Sequence, residues 1–145
     1  MKILVQRVSQ ASITINDAIH SSIHQGVLVF LGIKSGDGEQ EVKWLANKLV
    51  NLRLFNDHEG KINLSLLDIK GEALIVSQFT LYGDCTAGRR PSFIHSATPA
   101  IAKPLYDLFI TEVKKYNVVT ESGVFGADMK VSLTNDGPVT LIIEK

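Results

Sequence analysis

The run Val27-Leu28-Val29-Phe30-Leu31-Gly32-Ile33 is apolar throughout, with Gly26 before it and Ser35-Gly36-Asp37-Gly38 after it. A half-exposed strand alternates apolar and polar residues, so an unbroken run of this length predicts a strand covered on both faces. Such a strand is central to its sheet, and the flanking segments must supply a layer on each side. Residues 2–15 are rich in β-branched types. Within them Ala11, Ile13 and Ile15 alternate with Ser12 and Thr14, as a half-buried strand requires, before Asn16-Asp17 turns the chain.

Asp37 followed by Gln40 resembles a capping box, and Val42, Leu45, Leu49 and Leu52 recur at helical spacing, which predicts an amphipathic helix near residues 39–52. Arg53-Leu54-Phe55 and Ile62-Asn63-Leu64 flank the polar stretch 56–61 as the arms of a hairpin. Ala73 to Leu81 reads as a second buried strand ending at Tyr82-Gly83, and residues 84–98 read as an irregular loop. Thr98-Pro99 opens a second helix whose buried face is Ile101, Leu105, Leu108, Phe109 and Tyr116, with Pro104 tolerated only in or near the first turn. Val118–Val124, Lys130–Thr134 and Val139–Ile143 close the chain as three short strands. The expected fold is α+β: one domain over residues 1–145, with a mostly antiparallel, curled or barrel-like sheet and two amphipathic helices.

Fifteen basic and fifteen acidic residues cancel, so any RNA must be held by a local patch, and neither DNA nor a membrane is an expected partner. The single Cys85 cannot form an intrachain disulfide, and the apolar start Met1–Val5 is broken at once by Gln6 and Arg7. Both point to a cytoplasmic protein. There is no glycine-rich phosphate loop, and His20 and His24, four apart, lack both a helical context and a nearby acidic ligand. Neither a cofactor nor a metal is expected. Cys85 reads as an ordinary packing residue, while His58 reads as solvated in its turn and His95 is ambiguous.

Two segments carry more information. In Ser77-Gln78-Phe79-Thr80-Leu81, polar residues interrupt a buried strand and must either bind neighbouring backbone or line a pocket. In Asn135-Asp136-Gly137-Pro138-Val139-Thr140, a proline that cannot donate to a ladder stands at the mouth of a strand. A hairpin turn explains the second segment on residue type alone.

Together, and in this order, the two segments resemble the D-aminoacyl-tRNA deacylase family over essentially the whole chain. Gln6-Arg7-Val8, Gly88-Arg89-Arg90-Pro91-Ser92-Phe93 and Gly123-Val124-Phe125-Gly126-Ala127-Asp128-Met129 support the match. The resemblance implies a homodimer in which a cis Gly137-Pro138 step from one subunit enters the partner's pocket, built around Ser77, Gln78, Phe79 and Thr80. It also implies that Arg7 braces that step and that Met129 lines the site. The implied substrate is D-aminoacyl-tRNA and the implied reaction is hydrolysis of its ester.

Such an enzyme must accept almost any D side chain and reject every L one, so it fixes the α-amino group and the ester carbonyl instead of shaping a side-chain pocket. The carbonyls of Gly137 and Pro138 are the expected acceptors for the ammonium, and the Phe79 N–H is the expected oxyanion donor. Thr80 has no evident base in either motif, so the resemblance favours help from the 2′-hydroxyl of the terminal adenosine in activating water. Glycine offers no side chain to exclude and should be hydrolysed as well. Arg89 and Arg90, with Lys61 or Lys103, are the available phosphate contacts. The competing readings are a non-catalytic RNA-end binding module and a conventional Ser, Thr or Cys esterase.

Overall fold

A computed structural model describes residues 1–145. Strand β1 (Lys2–Ile15) is the spine of a six-stranded sheet. Along one edge it pairs antiparallel first with β3 (Gly26–Gly32) and then with β2 (Ala18–Ile23), while β8 (Lys130–Glu144) runs antiparallel to it from Lys2 to Thr14. The sheet continues from β3 through β6 (Glu72–Ser77) to β7 (Thr120–Ser122), both in parallel pairings. It curls far enough for the Ser21 hydroxyl on β2 to donate to Ser122 O on β7 at 3.1 Å. The result is the curled, largely antiparallel α+β sheet expected, with a parallel corner at β3–β6–β7. A separate hairpin joins β4 (Arg53–Asn56) to β5 (Ile62–Ser65).

Strand β3 is covered on both faces, as its unbroken apolar run requires. Val27, Val29 and Leu31 enter the larger core beneath the helices, and Leu28 enters a smaller cluster with Val8, Ile13, Leu74 and Val76 inside the curl. Helix α1 (Glu39–Asn51) buries Val42, Leu45, Ala46, Leu49 and Val50. Its capping box differs from the expected one: Gly38 is the N-cap, and its N–H donates to Glu41 Oε2 at 2.9 Å. That bond and the Glu41 N–H hold the Glu41 carboxyl below its usual range, with the Gly38 contribution larger.

Helix α2 (Pro99–Lys114) starts with proline in its first turn, but its buried face is Ala102, Tyr106, Phe109, Glu112 and Val113. The expected Ile101 is 45% exposed. Hydropathy ranks Ile101 above Tyr106, yet Tyr106 has a hydroxyl to place: it donates to Ile75 O at 2.9 Å and to Gly123 O at 3.3 Å. Those bonds fix the rotation of the helix. Pro104 lies inside the helix, beyond the first turn where it was expected, and sits on the exposed face.

Burial pushes the Tyr106 hydroxyl up to about 12. Tyr106→Phe leaves Gly123 O without its donor, while Ile75 O keeps the Gly123 N–H at 3.1 Å. The expected loss is about 1–2 kcal/mol in a urea unfolding curve; no change would mean that the hydroxyl does not hold the β6 and β7 ends together.

Candidate active site

Strand β6 ends at Ser77, where its partner β3 runs out: Leu31 pairs with Ser77, and the Gln78 N–H makes the last rung to Leu31 O at 2.8 Å. The chain then turns into a 3-10 turn, Phe79–Tyr82, where the sequence predicted further strand. Gly32 makes room for this turn, because a Cβ there would lie 3.0 Å from Leu81 Cβ and 3.2 Å from Gln78 O.

Ser77, Gln78 and Phe79 line one side of a cavity of about 550 Å³, and Phe125, Met129 and Ala97 stand among its largely apolar walls. Met129 is pressed over Gly123, where a Cβ would collide with its sulfur. At the first turn of a 3-10 segment the leading N–H groups have no partner behind them. Phe79 leads this segment and lines the cavity, so its N–H is the candidate free donor there.

Thr80 is not among the cavity-lining residues. It is exposed, and its Oγ1 accepts the Gln78 side-chain amide, with no imidazole or carboxylate bonded to it. A hydroxyl in that setting has no base to activate it.

Gly137-Pro138 lies elsewhere in the chain. The two terminal strands expected around it are one strand, β8, which pairs with β1 on both sides of the step. Asn135 faces Val8 and Thr140 faces Gln6, so Asp136–Val139 form a bulge opposite Arg7 alone, with Asp136, Gly137 and Pro138 exposed and Val139 turned into the core. The Gly137-Pro138 peptide is cis, both residues are exposed, and a Cβ on Gly137 would meet nothing within 4 Å. Neither residue reaches the cavity of its own chain.

Arg7 organises this bulge from beneath. Only 3% exposed, it donates through Nε to Asp136 O at 3.0 Å, through Nη1 to Leu54 O at 2.7 Å and Asn56 Oδ1 at 3.1 Å, and through Nη2 to Gly137 O at 3.1 Å. Asp136 Oδ2 also lies 3.0 Å from Nε. A planar five-donor fork suits such divergent acceptors where an ammonium would not. Asn135 closes the base of the bulge, its amide donating to Arg7 O at 2.9 Å and Val139 O at 3.1 Å. Asn56 and Asn135 were missed as supports, because neither contact is local in sequence. The signal available for Asn135 was an amide-bearing residue just before an Asp-Gly-Pro break.

Arg89 and Arg90 lie on an exposed tongue closed by Asp84 and Ser92, and neither has an ion-pair partner. Lys61 and Lys103 are each committed to a carboxylate, Glu59 and Asp107. Cys85, expected to pack, is exposed at the foot of the tongue, because the loop has no core beneath it to accept a thiol. His20 lies exposed on β2 and His24 is exposed in the bend that follows it, and no helix is long and apolar enough to cross a membrane.

Comparison with known proteins gives similarity over nearly the whole chain. The chain is 54% identical to the D-aminoacyl-tRNA deacylase of Thermosipho melanesiensis and 56% identical to that of Petrotoga mobilis, covering 99% of this chain and 97% of each relative. A solved structure titled c-Myc DNA Unwinding Element Binding Protein superposes with a TM-score of 0.94 at 38% identity, covering 100% of this chain and 99% of that one. A probable eukaryotic D-amino acid tRNA deacylase shares the fold, with a TM-score of 0.85 at 20% identity over 98% of this chain and 97% of that one. The profile of the D-Tyr-tRNA(Tyr) deacylase family matches residues 4–144, and the chain therefore belongs to that family.

Proposed function

We propose that the chain works as a homodimer in which the Gly137-Pro138 tip of one subunit closes the cavity of the other and selects D- over L-aminoacyl esters. The coarse activity follows from family membership: the chain is a hydrolase of D-aminoacyl-tRNA esters. The observation that carries the finer reading is the separation of two half-sites. The cavity at Ser77–Phe79 is walled largely by apolar residues, with Asp128 its one charged group, and it includes neither Gly137 nor Pro138, whose bulge is exposed with open space where a Gly137 Cβ would stand. A second copy brings the two together. The unpaired outer edge of β8, with Leu133, Leu141 and Ile142 at 36%, 41% and 65% exposure, also suits a protein–protein contact.

In the assembled site the Gly137 and Pro138 carbonyls accept from the substrate's α-ammonium. Gly137 O already takes one bond from Arg7, which fixes its direction and leaves a second lone pair for the substrate. An L side chain is driven into the Gly-Pro wall, whereas a D side chain points to open space. The Phe79 N–H meets the carbonyl oxygen as charge develops on it, a contact whose removal in other enzymes costs ~2.7–4 kcal/mol. Water attacks the ester carbon and gives a proton to the 2′-hydroxyl of the terminal adenosine, which passes its own proton to the 3′-oxygen as the ester C–O bond breaks, so that the free acid and a tRNA ending in a 3′-hydroxyl are released. The protein positions these groups and adds no nucleophile of its own.

The test is turnover of purified protein on D-tyrosyl-, L-tyrosyl-, glycyl- and L-alanyl-tRNA. D-Tyrosyl and glycyl esters should be cleaved and both L esters spared. Equal protection of glycyl and L-alanyl esters would overturn steric exclusion as the filter. Binding of D-tyrosyl-tRNA without cleavage would leave only an RNA-end binding module.

A further inference from the structure

At the edge of the cavity Phe79, which lines it, and Phe93, which does not, form an edge-to-face pair with ring centroids 5.2 Å apart and planes at 70°. The pair is held firmly but is not buried. Phe79 is 55% exposed and Phe93 39%, with Ile94 beyond them at 79%. Three local devices fix it. Asp84 and Ser92 exchange N–H to carbonyl bonds of 2.8 and 2.9 Å, which closes the tongue just before Phe93. The Phe93 ring lies on Gly83, where a Cβ would stand 2.9 Å from Cε1. Ser96 bonds both backbones, its hydroxyl donating to Phe79 O at 3.0 Å and its N–H to Phe93 O at 3.0 Å.

Core aromatics are fixed and buried, and mobile loop aromatics are exposed and free. This pair is fixed and exposed. Arg89 and Arg90 ride on the same tongue with no carboxylate to neutralise them, and its one acidic residue, Asp84, is taken up by the Thr86 N–H and hydroxyl at 2.9 and 2.7 Å. Both donors hold the Asp84 carboxyl below its usual range. Aromatic faces beside free arginines are what single-stranded RNA requires: stacking for a base and cations for the phosphates.

A cavity of about 550 Å³ is of single-ligand size, so one aminoacyl-nucleoside end fills it. The nucleotide before that end must cross the rim. We propose that Phe93, braced on Phe79, forms with Arg89 and Arg90 a rim subsite that stacks the unpaired base preceding the terminal adenosine and neutralises its phosphates. The subsite rests on the deacylase reading of the cavity.

The experiment compares kcat/KM on D-tyrosyl-tRNA with kcat/KM on D-tyrosyl-adenosine, which lacks the preceding nucleotide. Phe93→Ala should lower the ratio of the two roughly 5- to 100-fold, and Phe93→Trp should restore it. Arg89→Ala/Arg90→Ala should lower the same ratio and flatten the salt dependence of KM for the tRNA, the log–log slope falling by about 0.7 for each phosphate that no longer meets an arginine. An unchanged ratio in Phe93→Ala would overturn the subsite, because the ring would then act only through Phe79 or not at all. So would a shift of Phe93→Ala from dimer to monomer in sedimentation, which would mean that a second copy of the chain covers the rings. Failure of the unaltered protein to cleave either substrate would instead remove the deacylase reading on which the subsite rests.

Discussion

Arg7→Met is expected to lower the melting temperature by about 10 °C and to reduce D-tyrosyl-tRNA hydrolysis at least about 100-fold. The stability loss follows from what the guanidinium leaves behind. Leu54 O, Asp136 O and Gly137 O each lose a donor, and Leu54 O lies where water does not readily replace it. Breaking such a buried network costs about 3 kcal/mol, and in a domain of this size each kcal/mol is worth roughly 3–4 °C. The activity loss has a different origin, the freed direction of Gly137 O, and Arg7→Lys separates the two. A lysine ammonium can satisfy one or two of the carbonyls and recover part of the stability, but it cannot hold Leu54 O, Asn56 Oδ1 and Gly137 O at once. Arg7→Lys should therefore melt closer to the unaltered protein while staying deficient in D-ester turnover. If both properties recovered together, Arg7 would be a structural residue and no more. Asp136→Ala should do much less, since that carboxylate is half exposed and its backbone carbonyl, which takes the Arg7 Nε bond, remains.

The sequence showed most clearly what depends on local pattern. Val27–Ile33 announced a strand buried on two faces, and the 3.6-residue spacing of Val42, Leu45 and Leu49 placed α1 within a residue of its observed ends. It failed where a tertiary contact outranks local preference. The rotation of α2 is set by a tyrosine hydroxyl reaching Ile75 O and Gly123 O across the core, and β6 stops at Ser77 because β3 has no more backbone to offer. The closing strands looked separate because a proline interrupts them, yet both halves find the same partner and the interruption becomes a bulge.

The site was legible in the same uneven way. Polar residues at Ser77 and Gln78 in an apolar run left a choice between bonding to neighbouring backbone and lining a pocket, and the structure places both residues at a cavity. The roles of Arg7 and Gly137-Pro138 came from family resemblance. No periodicity links a residue on β1 to a bulge 130 positions later, and that pairing is visible only once β1 and β8 lie side by side. The resemblance did not include the backbone ties that hold Phe93 on Phe79 through Ser96, for the same reason.

The second large effect concerns the origin of the nucleophile. D-Tyrosyl-tRNA ending in 2′-deoxyadenosine should be cleaved roughly 100- to 10,000-fold more slowly than the ribose substrate, the range over which a positioned proton-transfer group contributes. Thr80→Ala should keep activity within about tenfold. The asymmetry follows from the surroundings of the two hydroxyls. Thr80 Oγ1 is exposed, accepts the Gln78 amide and has no base in contact, so neither burial nor a partner raises its nucleophilicity. The ribose hydroxyl is adjacent to the scissile ester by covalent structure, and that proximity needs no side chain to establish it. Single-turnover rates on the two substrates, with and without the Thr80 hydroxyl, give four numbers that assign the role. A large Thr80→Ala loss with a small deoxy effect would make Thr80 the nucleophile, and a burst of free tRNA ahead of D-tyrosine release would then mark the acyl-enzyme. A large deoxy effect with Thr80→Ala close to the unaltered protein leaves water as the attacking group and Ser77–Phe79 as the frame that holds the ester against it.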